Sequence, residues 1–384
     1  MRRSGLSSAA IPILLALAPA AGTGQPQQWK REGDSWVRVY SGTIPTAARL
    51  RVMGHGPVKV EAGPGHEISY TVKVSVMAPS AGRAQAAVNR QPIHVETDGD
   101  WAVLTTPGGS ALATVTIRTP RLQALAIFTA NGAVDAKGVD GPVEVETGAG
   151  EVSCDRIRGD CRLATGGGDI RVGEVGGSLR CATRGGRINV KSVHGQAILA
   201  TDGGDIEALQ AGGYVNAQTG AGTVHIGSAN GAVDATNGGG EILVDKAAGP
   251  VTARNVAGPV SVGAAAGVRC ESRSGGIRVS NISGTMRVST AIGSIFASLL
   301  NAHLADSMLA TGNGDITVVI PSNVGVNIRA VNSMTDKLAR IVSDFKQVQA
   351  RMSGAKLVAE GPVNGGGPLL QISGTGGTIF IKRP

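Results

Sequence analysis

Residues 141–158 read GPVEVETGAGEVSCDRIR and residues 159–176 read GDCRLATGGGDIRVGEVG, two consecutive copies of an 18-residue unit. Each copy begins with Gly and has a second Gly at its tenth place. The unit recurs over residues 123–266 with almost no change of length, and degraded copies continue to residue 320. A repeat of so short a period is typical of a solenoid, in which each unit forms one coil that stacks on the next.

Apolar and polar residues alternate in two parts of each unit. In the second copy, Cys161 and Leu163 hold places three and five, and Ile170 and Val172 hold places twelve and fourteen. A period of two over three to five residues predicts a short strand with one buried face, whereas a helix needs apolar spacings of three and four. A single apolar residue at place seventeen, here Val175, predicts a tighter third side. About eleven coils over residues 123–320, at about 4.8 Å per coil, predict a rod on the order of 50 Å long.

Places ten and seven of the repeat indicate where each coil turns a corner. Only Gly adopts positive φ without steric cost, so the glycines at place ten are expected at corners of this kind. Place seven holds Thr in six successive units and then Asn, which indicates side chains that satisfy backbone groups at those corners. The place-ten glycines are Gly132, Gly150, Gly168, Gly186, Gly204, Gly222, Gly240 and Gly258. The place-seven residues are Thr129, Thr147, Thr165, Thr183, Thr201, Thr219, Asn237 and Asn255.

The changes of composition along the chain predict four regions. Residues 1–22 have the charged, apolar and small-residue order of a secretory signal peptide, which predicts export to the periplasm, cell surface or medium. Residues 23–122 form a β-rich N-terminal cap, in which a short helix near residues 82–90 covers an open strand edge. Residues 123–320 are the solenoid. Residues 321–384 form a basic C-terminal β cap, within which residues 333–348 fit either a helical face or strands.

The residue types that usually carry chemistry do not form a recognisable catalytic or metal-binding pattern. The six histidines are dispersed, and no G-x-S-x-G segment lies between a strand and a helix. Place eleven presents Glu151, Asp169, Arg187, Asp205, Thr223 and Glu241 on consecutive coils. We interpret this column as cross-coil ion pairing; a cation held by Glu151 and Asp169 is the weaker alternative. No catalytic, cofactor-binding or metal-binding residue is therefore predicted.

The four cysteines all occupy apolar places of the repeat: Cys154, Cys161, Cys181 and Cys270. We interpret them as buried thiols that act as small hydrophobic side chains. The alternative is a bridge between Cys161 and Cys181, which are inward residues of adjacent coils, since an exported chain permits disulfides.

The positive charge of the chain is concentrated at its C-terminal end. The chain carries a formal net charge of +8, and residues 316–384 contain eight Lys or Arg against three acidic residues. This surplus predicts contact with anionic envelope glycans or a lipid surface. Nucleic acid is a poor candidate, because aromatic residues for base stacking make up 3% of the chain.

Several segments resemble the bacterial putative-adhesin, or β-strand-repeat, family of unknown function. The resemblance rests on the repeated T-G-x-G-x-V units at residues 147–152 and 219–224, on the segment GDITVVIP at residues 314–321, and on the closing GTIFI at residues 377–381. It implies a right-handed single-stranded parallel β-helix that has no established catalytic residues.

These observations together predict an all-β solenoid that is exported and non-enzymatic, and that acts in adhesion, envelope scaffolding or surface binding. A self-assembling filament is the alternative. A β-helix enzyme that acts on polysaccharides is the third hypothesis.

Overall fold

The computed structural model describes residues 28–44, 47–63, 65–300, 303–333 and 340–384. The predicted signal peptide, residues 1–22, lies outside the described residues. The N-terminal part comprises β1 (Lys30–Glu32), β2 (Ser35–Ile44), β3 (Arg49–Gly54), β4 (Val58–Ala62), β5 (Ile68–Met77), α1 (Ala81–Arg90), β6 (His94–Asp98), β7 (Trp101–Thr105) and β8 (Ala111–Thr119).

The repeat region forms two strands per unit. In chain order these are β9 (Ala124–Thr129), β10 (Val134–Lys137), β11 (Val143–Thr147), β12 (Val152–Asp155), β13 (Cys161–Thr165), β14 (Ile170–Val175), β15 (Leu179–Thr183), β16 (Ile188–Val193), β17 (Ala197–Thr201), β18 (Ile206–Ala211), β19 (Val215–Thr219), β20 (Val224–Ala229), β21 (Val233–Asn237), β22 (Ile242–Ala247), β23 (Val251–Ala257), β24 (Val260–Ala264), β25 (Val268–Ser274), β26 (Ile277–Ser280), β27 (Met286–Ile292), β28 (Ile295–Ser298), β29 (Ser307–Asn313) and β30 (Ile316–Val319). The C-terminal part adds β31 (Val326–Ser333), β32 (Arg340–Ser343), β33 (Arg351–Ser353), β34 (Lys356–Val363), β35 (Leu369–Gly374) and β36 (Thr378–Lys382).

The strands of the repeat stack into two parallel sheets. The first sheet contains the odd-numbered strands β9 to β29, and the second sheet contains the even-numbered strands β10 to β30. From β9 to β24 the pairing aligns residues 18 apart, so that Cys161 lies opposite Leu179 and Ile170 opposite Ile188. Because this register places equal positions of successive units side by side, the apolar places form continuous buried columns. The predicted all-β solenoid, with eleven coils over residues 123–320, is confirmed.

In the coils that contain β14, β16, β18, β20 and β22, the third side is a continuation of the second sheet. Beyond Gly173, β14 pairs again with β16 through Glu174 and Val175. Val175 and the corresponding Val193 are buried. The apolar residue at place seventeen therefore closes the core, as the pattern predicts.

The coils at the two ends do not stack in the order of the sequence. In the first sheet, β3 lies between β7 and β9, and β35 lies between β29 and β31. In the second sheet, β4 lies between β8 and β10, and β36 lies between β30 and β32. Two further coils thus extend the eleven at each end, and the whole ladder is roughly 70 Å long at the usual strand spacing.

Antiparallel strands cover both sheets at the N-terminal end of the parallel ladder and the first sheet at its C-terminal end. At the N-terminal end, β5 pairs with β2 and β8, and β6 pairs with β7. At the C-terminal end, β34 pairs with β31 and β33. These strands interrupt the parallel stack, and such interruption is how natural sheets limit pairing between molecules.

The predicted helix exists but has a different role from the expected one. Ser80 caps α1, because its hydroxyl accepts the N–H of Arg83 at 3.4 Å. Ala84 and Val88, four residues apart, are buried in the apolar core. The helix packs on β5, which is hydrogen-bonded on both sides and is not an edge strand. The helix therefore covers the open end of the core and not the edge of a strand.

The segment 333–348 is a strand and a turn in its described part, not a helix. β32 pairs with β36, and Phe345 and Val348 are buried beyond it. Leu338, which belongs to the proposed helical face, lies outside the described residues. The strand interpretation is therefore confirmed for residues 340–348.

The glycines at place ten are needed for close packing more often than for positive φ. Gly150 has a φ of +124°, as predicted, but the φ of Gly204 lies outside the left-handed range. A Cβ atom on Gly204 would nevertheless overlap the backbone carbonyl of Gly186 in the preceding coil. The expectation of positive φ is therefore wrong at Gly168, Gly186, Gly204, Gly222 and Gly240. At these positions the stacking of backbone on backbone excludes any side chain.

The place-seven residues form a buried ladder of hydrogen bonds, which confirms the interpretation from the sequence. The hydroxyl of Thr201 donates to the carbonyl of Gly186 in the preceding coil at 3.0 Å and accepts the N–H of Gly204 at 3.1 Å. Asn237 has the same function, since its Nδ2 donates to the carbonyl of Gly222 at 2.7 Å. Each side chain joins two consecutive corners.

We expect Thr201→Val to lower the free energy of unfolding by about 1–3 kcal/mol, because Val has the shape of Thr but leaves the buried Gly186 carbonyl and Gly204 N–H without this partner. Urea unfolding followed by far-ultraviolet circular dichroism measures the change. Thr201→Ser keeps the hydroxyl and is the control, which we expect to lose less. Equal losses in the two variants would contradict a role for the hydroxyl.

Candidate binding surfaces

The place-eleven residues lie at the surface and bind one another along the ladder. Arg187 Nε lies 3.5 Å from Asp205 Oδ2, so the predicted ion pair is confirmed. Asp169 Oδ1 instead accepts the backbone N–H of Arg187 at 2.9 Å, and Asp205 Oδ1 accepts that of Thr223 at 2.9 Å. The two carboxylates thus cap the backbone N–H just before the second-sheet strand of the next coil, a structural task that the sequence pattern did not reveal.

A guanidinium occupies the position where the sequence suggested a bound cation. Arg171 contacts Glu151 through Nη1 and lies 3.5 Å from Asp169 Oδ2 through Nη2. The two carboxylates therefore share an internal counter-ion. Within the described ranges, no group of three or more His, Cys, Asp or Glu side chains is arranged to hold a metal ion.

All four cysteines are buried free thiols, as the sequence interpretation proposed. The pKa of the Cys154 thiol is well above its ordinary value, because Cys161 hydrogen-bonds to it and because it is buried. Burial also raises the pKa of Cys181 well above the ordinary value and that of Cys270 to about 12. The alternative of a bridge between Cys161 and Cys181 is not realised, because both are free thiols on adjacent strands. The structure also brings Cys154 onto Cys161 from the opposite sheet.

We expect the raised pKa of Cys270 to make stability fall at alkaline pH. The unfolded thiol ionises near its ordinary pKa of 9.0, whereas the folded thiol stays protonated up to about 12. The contribution of the buried Cys270 thiol to the free energy of unfolding is therefore fully present below about pH 9 and is lost as pH rises toward 12. Urea midpoints measured from pH 8 to 11 should fall more steeply for the unchanged protein than for Cys270→Ala. Parallel slopes would contradict this assignment.

At the basic C-terminal end, several cations have no carboxylate within ion-pair distance among the described residues. Arg329 and Arg351 both pair with Glu360, at 3.3 and 3.0 Å. Among the described residues of this end, five other exposed cations have no ion-pair partner within 4.0 Å. These are Arg340, Lys346, Lys356, Lys382 and Arg383. Two of them lie over aromatic rings, Lys382 Nζ at 4.7 Å from the centre of Phe380 and the Arg383 guanidinium at 5.1 Å from that of Phe345.

Surface concavities lie mainly at the N-terminal end of the rod. One groove of about 630 Å³ runs over the first sheet from Trp101 to Arg180. A second cavity of about 580 Å³ lies at the third side, where Asp140 accepts from Arg121 at 3.4 Å and from Arg158 at 3.3 Å. A third, of about 820 Å³, lies beside Met53 and Phe128. Sequence analysis singled out none of these places.

In the described part of the chain, no helix has both the length and the apolar character needed to cross a membrane.

Solved structures of putative adhesins resemble this chain. One is a putative adhesin from Bacteroides fragilis, with 13% sequence identity and a TM-score of 0.31, in a match that covers 71% of this chain and 99% of that one. Another is a putative cell adhesion protein from Clostridium sporogenes, with 10% identity, a TM-score of 0.19 and coverages of 91% and 99%. A putative lipid binding protein from Parabacteroides distasonis has 11% identity, a TM-score of 0.26 and coverages of 90% and 97%.

No family model and no curated protein matches this chain. Likeness to solved structures at these identities and TM-scores says nothing about what this chain binds. The function of this chain must therefore be inferred from its own surfaces.

Proposed function

We propose that this chain is an exported, non-enzymatic β-solenoid that binds at a cell surface, in adhesion or in scaffolding of the cell envelope. Its basic C-terminal end contacts anionic material, either acidic envelope glycans or lipid headgroups. Export is supported by the order of charged, apolar and small residues in positions 1–22.

The unneutralised cations of the C-terminal end are the observation that carries this proposal. Arg340, Lys346 and Lys356 are exposed, and no carboxylate among the described residues pairs with them. Clustered positive charge attracts polyanions and raises their local concentration, and ions in solution screen this attraction over about 8–10 Å. Binding should therefore weaken as salt is added.

The use of ionisable side chains in the repeat supports a non-enzymatic role. Asp169, Arg171, Arg187 and Asp205 are engaged in cross-coil ion pairs or in capping of backbone N–H groups. Such groups hold the ladder together and present a regular surface. A continuous ladder about 70 Å long is suited to display or bridging.

The test is binding of the mature protein to a panel of acidic glycans and to vesicles with and without anionic lipid, at low and at moderate salt. In the test variant Arg340, Lys346, Lys356 and Lys382 are replaced by Gln. The control variant carries the same replacement at Arg184, Lys191, Lys246 and Arg273, which are exposed cations of the repeat. Both variants lose four charges, so they differ only in where the charge is removed.

We expect salt-sensitive binding that is weakened in the C-terminal variant and unchanged in the control. The glycan and vesicle arms show which anionic source is used. Equal loss in both variants would show a non-specific charge effect and contradict the proposal. Cleavage of any glycan, detected by analysis of its products, would contradict the non-enzymatic assignment. Concentration-dependent elongation in light scattering, without binding, would favour the filament.

A further inference from the structure

A groove on the outer side of the first sheet combines one indole, small apolar side chains and several arginines. We call it the Trp101 groove. It has a volume of about 630 Å³, and its sides include Trp101, Arg49, Ala124, Pro142, Arg162 and Arg180. Ligand-binding clefts usually have volumes of about 300–1,000 Å³ and combine apolar lining with a few polar groups.

The groove arises from small outward-facing side chains between large ones. The register places Trp101 beside Arg49 and Arg49 beside Ala124. Ala124 and Ala126 are buried although they lie on the outer face, because the neighbouring side chains rise above them. Counted from β9, Arg162 lies two strands further along the sheet, on β13, and Arg180 lies three strands further, on β15. Trp101 and Arg180 are five strand steps apart, or roughly 24 Å, which suits an extended ligand along the ladder.

The charges around the groove are arranged for an anion. Arg162 and Arg180 are directly opposite each other on β13 and β15, a like-charge pair that is unfavourable without a counter-ion. Arg162 has Glu144 at 3.7 Å. Arg180 has no ion-pair partner within 4.0 Å in the described part of the chain. The other carboxylate, that of Asp160, accepts the backbone N–H of Ser178 at 2.7 Å and caps that strand.

The aromatic side of the groove is held in place. The guanidinium of Arg51 lies 4.9 Å from the centre of the Trp101 ring, and that of Arg49 lies 6.0 Å from it. These contacts restrict the indole before any ligand arrives, so little conformational entropy is lost when the ring becomes part of an interface. Trp101 thus lines the groove as a restrained indole that already contacts two cations.

From this geometry we propose that the Trp101 groove binds an acidic polysaccharide built of uronic acid units. The apolar face of a pyranose ring packs against the indole, and the carboxylates of following units bind Arg180 and Arg162. The chain lies along the ladder axis, because aromatic and cationic groups succeed each other in that direction. This site lies toward the opposite end of the rod from residues 340–384 and does not depend on them.

The experiment measures binding of oligogalacturonates of defined length by the full mature chain, using quenching of Trp fluorescence and calorimetry. The corresponding methyl esters, which lack the charge, are the ligand control. The variants are Trp101→Ala and Arg180→Gln. The matched control is Arg287→Gln, an outward Arg in the same column of the first sheet six strand steps beyond Arg180.

We expect affinity for the acidic oligomers to fall at least about tenfold in Trp101→Ala and in Arg180→Gln, and to stay unchanged in Arg287→Gln. Affinity should rise with oligomer length until the groove is filled, and the methyl esters should bind weakly. Circular dichroism verifies folding, and the exposed Arg180 provides a variant that does not disturb the core. Equal binding of acid and ester, unchanged affinity in both groove variants, or no binding of any acidic oligomer would overturn the proposal.

The outcome is separable from that of the proposed function. Groove variants test the Trp101 groove, whereas the variant with four replacements at residues 340–382 tests the C-terminal end. Loss of oligogalacturonate binding only in the groove variants would support the groove, whatever the result at the C-terminal end.

Discussion

Gly204→Ala is expected to destabilise the solenoid by at least about 2 kcal/mol, whereas Gly203→Ala, one residue earlier, should change stability by no more than about 0.5 kcal/mol. The added methyl group at Gly204 would overlap the carbonyl of Gly186, and neither backbone can move without breaking the register of its coil. At Gly203 a Cβ atom meets nothing within 4 Å.

Urea unfolding and hydrogen exchange would measure this pair of variants. Because each coil contacts mainly its two neighbours, exchange should accelerate first in β15 to β20, around the substituted corner. The two alanines change the unfolded chain in nearly the same way, so their difference reports the folded state. Equal unfolding midpoints for the two variants would show that the coils can separate to admit a side chain.

Truncation after Gly367 is expected to remove the native C-terminal end and to cause association of the protein. The deleted residues include β35 and β36, which lie between β29 and β31 and between β30 and β32. Leu370, Ile372, Ile379 and Ile381 are at most 1% exposed, and each contributes about 1.5–3 kcal/mol by burial. Their loss also uncovers the parallel edges of β29 and β30, which can then pair with another molecule.

Light scattering and limited proteolysis would measure the effect of the truncation. The control is removal of Arg383 and Pro384 alone, which are exposed and lie beyond β36. We expect this shorter deletion to leave a monodisperse, folded protein. A stable monomer after truncation at Gly367 would contradict the requirement for the inserted coil.

The repeat region was predictable because its interactions are between equivalent positions of consecutive units. The spacing of 18 residues placed Ile170 beside Ile188 and Thr183 beside Thr201, and both pairings are present. The ion pair of Arg187 and Asp205 followed from the same rule. The role of the place-ten glycines was predicted only in part, since the alternation of residues does not report how closely two backbones approach.

The candidate groove had only a partial signal in the sequence. Arg162 and Arg180 occupy place four in successive units, so their proximity could have been inferred from the repeat. Trp101 and Arg49 lie outside the repeat and are neighbours only because β7 pairs with β3, which is earlier in the chain. No periodicity links these residues, so the aromatic side of the groove required the structure.

The amino-acid sequence by itself determined the two-strand coil, the buried columns and the number of coils in residues 123–320, because local alternation and a constant period leave one register that buries every apolar place. The tertiary structure alone decided the order of the end coils, the position of α1 and the sides of the Trp101 groove. Those features depend on pairing between segments that are distant in the chain. Such pairing is stabilised by burial of the apolar side chains at the two open ends of the core, and no repeated local pattern in the sequence reports it.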